Sequence, residues 1–575
     1  MRAKVWIVAS FIAFGALTAA ETADARARGQ SFTALVKSYY DGEFKAHPAM
    51  ATRVGVHTYD HKIDDLSARG YEMNLARLKS ALAAFEAARP ANDRDRNERE
   101  VLIASIKGDI LDIETIQFWR KNPDIYASGA TSAVFSLVHR DFAPVKTRMR
   151  ATIAREKLIP ALLAAGKSNI EHPPQPYVEI ALRNIKGSIA FFKTAAPEAF
   201  KAVSDKKLRR EFEASNNAVI AALEDYKTYV EKTLSPQADG KFALGSALFA
   251  QRLAFNEMVD TAPAALLDIA YAQLHKDQAA LKEAARAYDA SKSVEDIVKE
   301  IRAQHPTADT LISTANDQLA ALRKFVEDKR IVTIPSQLKP MVEETPGFRR
   351  ATTAAAMDSP GPFERRSTDA FYYVSPPDAG LTPEKLEEYL QVYYFAGLEI
   401  ISAHEVWPGH FMQYLTRRAH TEWSLARQMM RTQSTSEGWA HYTEQMMLEQ
   451  GLNGADPKTR IAQIEHALMR DCRFVSSLEM HTRGKSVEDA QNIFMKECGS
   501  PEPEAHREAL RGTVDPGYMN YTLGKLQILK LRDDYKKKLG GKFSLTEFHD
   551  RFLASGSAPV KIIRREMLGE DGPVL

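Results

Sequence analysis

His404-Glu405-Val406-Trp407-Pro408-Gly409-His410 sets two imidazoles six positions apart around a Pro-Gly pair, just after the apolar run Gly397-Leu398-Glu399-Ile400-Ile401. On one straight helix, six residues turn the second ring roughly 240° from the first and carry it about 9 Å along the axis. The two rings could not then serve one ligand. Pro408 forbids the straight helix, because its ring clashes with the carbonyl of His404 and its missing N–H removes a helical bond. Gly409 opens backbone angles closed to other residues. The segment therefore predicts a bulge at Pro408-Gly409 that absorbs two residues and returns His410 to the face of His404.

The chemistry of that juxtaposition is metal binding. The pattern H-E-x-x-H holds zinc between two His one helical turn apart, with the intervening Glu as general base. Here the second His comes two residues late, and the bulge compensates. A catalytic zinc needs a third protein ligand and one position left for water. Ser434-Thr435-Ser436-Glu437-Gly438-Trp439-Ala440-His441-Tyr442-Thr443-Glu444 opens a predicted helix running to Gln450, with Gly451 as its stop. Glu437, beside Gly438 where another helix can approach closely, is the expected third ligand. Glu444, two turns along the same face, is its rival. Ser434-x-x-Glu437 also fits a capping box, in which Glu437 would only satisfy a backbone N–H. His441, one turn on, could support the ligands, touch substrate or simply occupy the helix face.

His-Glu-x-x-Pro-Gly-His-x-x-Gln (His404 to Gln413) together with Glu-Gly-Trp-Ala-x-Tyr-x-Glu (Glu437 to Glu444) resembles the bacterial domain of unknown function 885 family. That family is similar in turn to helical zinc peptidases of the thimet-oligopeptidase kind. Further matches are His47-Pro48-Ala49-Met50-Ala51-Thr52-Arg53-Val54-Gly55, Tyr59-Asp60, Asp65-Leu66-Ser67, Phe371 to Pro377, Met480-His481 and Pro516 to Lys525. One departure is Ser477, where many members carry an Asp shortly before the His that matches His481. The resemblance implies a mainly α, bipartite metallopeptidase-like fold with a central cleft and a small β-sheet near the metal site. It implies Zn2+ on His404, His410 and Glu437, with Glu405 taking the proton of the attacking water and passing it to the leaving amine. Tyr518 and Tyr521 resemble the tyrosine pair that donates to the oxyanion in those peptidases. Tyr521 is favoured, against the alternative of a buried aromatic capping a carbonyl. His481 is a further candidate, whereas Trp407 and Trp439 read as packing. A strand beside the cleft would pair with the substrate backbone; Phe371–Ser375 is the candidate, against a purely structural hairpin.

With 575 residues, 44% apolar and 26% charged, the chain has ample material for a globular core. A net charge of +2 gives no footing for nucleic acid or an anionic membrane. Met1-Arg2-Ala3-Lys4, the apolar stretch Val5 to Leu17 and small residues near Ala20 and Ala25 form a signal-peptide layout over residues 1–25. It is too short for a spanning helix, an uncleaved anchor being the alternative. No Cys near the cleavage region argues against a lipoprotein. From a Gram-negative source the mature protein would be periplasmic, without stable membrane insertion. Cys472 and Cys498 could pair, although a protein of this size has no need of a disulfide.

Amphipathic helices are predicted at 30–43, 71–88, 181–195, 211–234 and 266–289, and Thr382-Pro383-Glu384 starts another. The runs Arg330–Pro335, Pro340–Glu344 and Ala370–Ser375 read as short strands, and their prolines place them at edges or turns. Pro173-Pro174-Gln175-Pro176 reads as a surface turn. A soft boundary from Ile334 to Pro362 divides an N-terminal helical region, residues 26–345, which walls a cleft, from a C-terminal metal-binding region, residues 346–575. Three functions compete: a zinc peptidase of short peptides, a zinc hydrolase of another amide or ester, and a non-catalytic helical binding protein of the envelope. Lys525, one turn beyond Tyr521, would bind a peptide carboxylate or, on the plainer reading, lie solvated at the surface.

Overall fold

In the computed structural model residues 31–346, 354–378 and 380–575 are described. The expected signal peptide, residues 1–25, lies outside them. The molecule is mainly α with one small three-stranded sheet.

Caps explain where the N-terminal helices begin. Ser31 accepts a bond from the Ala34 N–H at the start of Phe32–Ala46 (α1), and Pro48–Val54 (α2) follows at once. Ser67 caps Ala68–Ala87, and Asp205 accepts from the N–H groups of Lys207 and Leu208 ahead of Lys206–Tyr229. Pro263 opens Pro263–Tyr288 (α3), where its missing N–H costs nothing. The same reason converts the expected surface turn at Pro173–Pro176 into the start of helix Gln175–Lys193, with Pro173 and Pro174 buried.

The sheet comprises Met341–Glu344 (β1), Ala355–Asp358 (β2) and Phe371–Val374 (β3), in the order β1-β3-β2. β1 runs parallel to β3 with Met341 opposite Phe371, and β2 runs antiparallel with Ala355 opposite Val374. The sheet thus straddles the division expected at 345/346. β3 is the middle strand, not an edge: Tyr372, Tyr373 and Val374 are buried, so it cannot take a substrate strand. Arg330–Pro335 forms no strand. Ile331 and Val332 bury in the core while the Thr333 N–H and hydroxyl both donate to Asp550.

The second half supplies Phe395–Glu405 (α4), His410–Ala419 (α5), Leu425–Met429 (α6), Gln433–Glu449 (α7), Pro457–Arg483 (α8) and Asn520–Leu539 (α9). The predicted cap Thr382 accepts from the Lys385 N–H at the start of Pro383–Leu390. Trp407, Phe411, Trp439 and Tyr442 share one apolar cluster with Leu311, Leu319, Leu322 and Tyr372 from the preceding helix and sheet. α8 is tied to helix Val487–Cys498 by a Cys472–Cys498 disulfide with Cα atoms 6.4 Å apart. Size alone argued against needing this bond, but it closes a 26-residue separation, worth on the order of 3 kcal/mol by restricting the unfolded chain.

α7 and α9 cross backbone to backbone. A Cβ at Gly438 would lie 2.5 Å from the Gly524 Cα, and one at Gly524 would lie 1.8 Å from the Ser434 carbonyl oxygen. Gly524→Ala must push the helices apart, and denaturant unfolding should show a loss of about 1–3 kcal/mol. An unchanged midpoint would mean that the crossing is loose.

Candidate metal centre

α4 stops at Glu405 because the chain turns sharply there. Val406 leaves helical angles, the N–H groups of Val406 and Trp407 both reach the Ser402 carbonyl, and the Gly409 N–H reaches that of Ala403. The Trp407–Pro408 bond is cis. The expected bulge within one helix is therefore a break between two, α4 ending before Pro408 and α5 starting at His410. Gly409 is required by contact: a Cβ there would sit 1.7 Å from the His404 carbonyl oxygen. Trp439 pins the turn by donating its indole N–H to the Pro408 carbonyl at 2.9 Å. Both Trp407 and Trp439 are buried, packing as predicted.

The break brings the His404 and His410 rings edge to face, with centroids 4.9 Å apart. Glu437 enters from α7, its Oε2 lying 3.6 Å from His404 Nε2 and 3.4 Å from His410 Nε2. One ligand atom from each of the three residues falls within 4.8 Å of the others. Around a tetrahedral zinc with ligands near 2.1 Å, neighbouring ligand atoms stand about 3.4 Å apart, so the donor set fits such an ion. The capping-box reading of Glu437 does not apply. α7 begins at Gln433 without a side-chain cap, and the Ser434 N–H already donates to Glu257.

Each imidazole is aimed by its other nitrogen. His404 Nδ1 donates to Glu444 Oε1 at 2.7 Å, and His410 Nδ1 to Gln413 Oε1 at 3.0 Å. The Gln413 amide in turn donates to the Ser436 carbonyl. Such partners fix the tautomer and leave Nε2 for a metal. Glu444 is therefore not a ligand in this arrangement. Fully buried, it holds His404, Arg470 Nη2 at 3.0 Å and His441 Nδ1 at 3.2 Å. Burial alone would raise this carboxyl, but the Arg470 guanidinium above all keeps it well below the usual range. Burial, then the nearby Lys525 ammonium, push His441 well down, so it donates to Glu444 as a neutral ring.

Glu405, half-buried, accepts the Met357 N–H of β2 at 2.8 Å. Tyr521, at the start of α9, lies nearly parallel to His404 with 6.3 Å between ring centroids. Burial, then the Glu437 charge, raise its hydroxyl. Arg470 and Arg473 sit against the Tyr521 ring. Tyr518 is elsewhere. It is fully buried in the short turn Pro516–Met519, and a Cβ at Gly512 would lie only 2.3 Å from its hydroxyl, so it is not open to substrate. His481 lies eleven residues past Arg470 on α8, about 16 Å along the axis. Buried against Phe249, it donates Nε2–H to the Gly512 carbonyl at 2.8 Å. Lys525 is neither a clamp nor a surface residue, being 1% exposed with Asp277 3.8 Å away. Sequence reasoning missed Arg470, the aiming role of Glu444 and the contact from β2.

The comparisons bear on family and fold. The chain belongs to the family described as "Bacterial protein of unknown function (DUF885)", whose model matches residues 48–567. A solved "putative lipoprotein of unknown function" from Shewanella oneidensis is 25% identical, with a TM-score of 0.79 over 94% of this chain and 100% of that one. A "putative lipoprotein" from Colwellia psychrerythraea, 18% identical, shares the fold with a TM-score of 0.81 over 94% and 98%. No curated protein matches the chain.

Glu437→Ala should abolish metal binding, whereas Glu444→Ala should keep the ligands and weaken it about 10- to 100-fold. Competition against a chromophoric chelator separates the two, and the reverse ranking would exchange the roles. Burial opposes charge on His410, but Glu437 outweighs it and lifts the ring to about 9 in the metal-free protein. The protonated ring then stabilises the fold fully below its ordinary value, about 6.5, and that contribution is lost as pH rises through about 9. A metal needs the neutral ring, so its apparent affinity should climb across the same window. A flat profile would contradict this.

Proposed function

We propose that this protein is a zinc-dependent peptidase of short peptides. The observation that carries the reading is the convergence of His404 Nε2, His410 Nε2 and Glu437 Oε2, with the other nitrogen of each ring already committed to Glu444 or Gln413. Bound zinc would polarise the scissile carbonyl and acidify the attacking water. Glu405 holds the proton of that water on its carboxylate and returns it to the leaving amine. The Tyr521 hydroxyl donates to the oxyanion as it develops. Arg470 acts through Glu444, keeping His404 oriented.

The peptide lies along the outer edge of β2, the edge from which the Met357 N–H reaches Glu405. β2 replaces the central β3 in this role, because an added strand needs an edge. The His410 and Glu437 side chains keep 20% and 24% exposure amid dense protein. This favours a recess, walled by the N-terminal region, residues 26–345, in the bipartite manner of thimet-oligopeptidase-like enzymes. Such a recess admits unstructured peptides and excludes folded chains. The disulfide points to an oxidising compartment, and the two structural relatives are named as lipoproteins. We place the protein in the envelope, in the periplasm. Its Cys472 and Cys498 are both in that disulfide.

The zinc-supplemented protein should cleave a mixed library of short peptides. Glu405→Gln should keep its zinc and its fold while losing about 10²- to 10⁴-fold in turnover. Mass spectrometry of the digests reads the result. Equal cleavage by the variant, or none by the wild type with one zinc bound, would refute the reading.

A further inference from the structure

Among the described residues, the three arginines Arg53, Arg417 and Arg431 have no acidic partner. Arg417 lies seven residues after His410 on α5, a step of two turns that keeps it on the same face about 10 Å away. Its Nη2 donates to Ser557 Oγ at 3.1 Å, and its Nε is buried without a hydrogen-bond partner among the described residues. The Ser557 carbonyl accepts the Thr432 N–H at 3.1 Å, so the same serine fixes the chain next to Arg431. α6, just before Arg431, packs against α1, and its Ala426 shares one buried apolar cluster with Tyr39, Ala51 and Val54. Arg53 is next to Val54 in α2. A Cβ at Gly361 would lie 2.4 Å from the Arg53 carbonyl oxygen, and Gly361 lines a small cavity together with Glu364, Tyr414, Arg417 and Arg418; the Glu364 carboxylate is itself taken up by His57 and by the Arg366 and Ser367 N–H groups. Arg53 is exposed, Arg431 keeps solvent access although its guanidinium is largely enclosed by protein, and neither forms an ion pair or side-chain hydrogen bond among the described residues.

We infer that Arg53, Arg417 and Arg431 form a subsite for the C-terminal carboxylate of the peptide substrate. The inference rests on the peptidase reading and adds the direction in which the substrate lies. Arginine's planar fork matches a carboxylate in two parallel bonds, and a buried guanidinium N–H without a partner is a costly defect that a ligand oxygen repairs. The guanidinium groups feel one another. Burial, then Arg431, lower Arg417 to about 10, and burial, then Arg53, lower Arg431. An anion between them relieves that repulsion. An extended chain covers about 3.3–3.6 Å per residue, so the 10 Å span corresponds to two or three residues beyond the scissile bond. The enzyme then releases short C-terminal fragments. The Lys525 expected for this role is buried beside Asp277, and the arginines replace it.

The test uses calorimetry with N-acetyl-tetraalanine as free acid and as C-terminal amide, on zinc-supplemented full-length Glu405→Gln protein. The acid should bind about 10- to 100-fold more tightly than the amide, the range for charge-assisted bonds. That preference should vanish on adding Arg431→Gln or Arg53→Gln, both solvent-accessible positions where the fold does not depend on the side chain. Arg431→Lys should retain part of it. Equal affinity for acid and amide, no binding of either, or a preference that survives both Gln variants overturns the subsite. Wild-type digests run in parallel separate the two claims. Acid-selective, arginine-dependent binding without any turnover leaves the subsite standing and removes the peptidase. Turnover indifferent to C-terminal amidation does the reverse.

Discussion

The buried Glu444 carboxylate is the interaction on which the site depends. It joins three helices: its own α7, α4 through His404, and α8 through Arg470. An isolated carboxylate in this position would be prohibitively costly. With His404, His441 and Arg470 around it, every neighbour is held in one orientation. Removing one partner of such a buried pair typically costs about 3–5 kcal/mol, because the other charge is left uncompensated. The candidate metal ligands inherit that rigidity.

Two backbone contacts supply the remaining precision. At Gly409 the chain folds directly onto the His404 carbonyl, and at Gly438 and Gly524 two helices meet without side chains between them. The first contact brings His410 beside His404. The second sets the depth at which Glu437 enters, since Glu437 precedes Gly438. Neither contact tolerates a methyl group without movement, so the cluster's geometry is written in glycines as much as in histidines.

Much of this was legible in the sequence. The late second His and the Pro-Gly pair implied a backbone departure, Gly438 implied a close crossing, and the cap at Thr382 acts as its residue type suggests. What was not legible was burial of polar groups. Arg470 and Lys525 look like ordinary helix-surface charges, and only packing puts them in the interior. Ala355–Asp358 carries no β-branched or aromatic residue, so β2 gave no strand signal, although it approaches Glu405. Prolines around β3 argued for an edge, yet they flank the strand and leave its ladder intact. Tyr518 and Tyr521 are near neighbours in sequence, but a short turn ends between them at Met519 and α9 begins at Asn520. One ring goes to the core and the other beside His404.

A diffraction experiment at the zinc edge on crystals of zinc-supplemented protein tests the central claim most directly. The account predicts one anomalous peak per chain, with His404 Nε2, His410 Nε2 and a Glu437 oxygen each about 2.0–2.2 Å from it. Glu444 would remain hydrogen-bonded to His404 Nδ1. A peak coordinated by Glu444 in place of Glu437, or no peak between the two histidines, would contradict it.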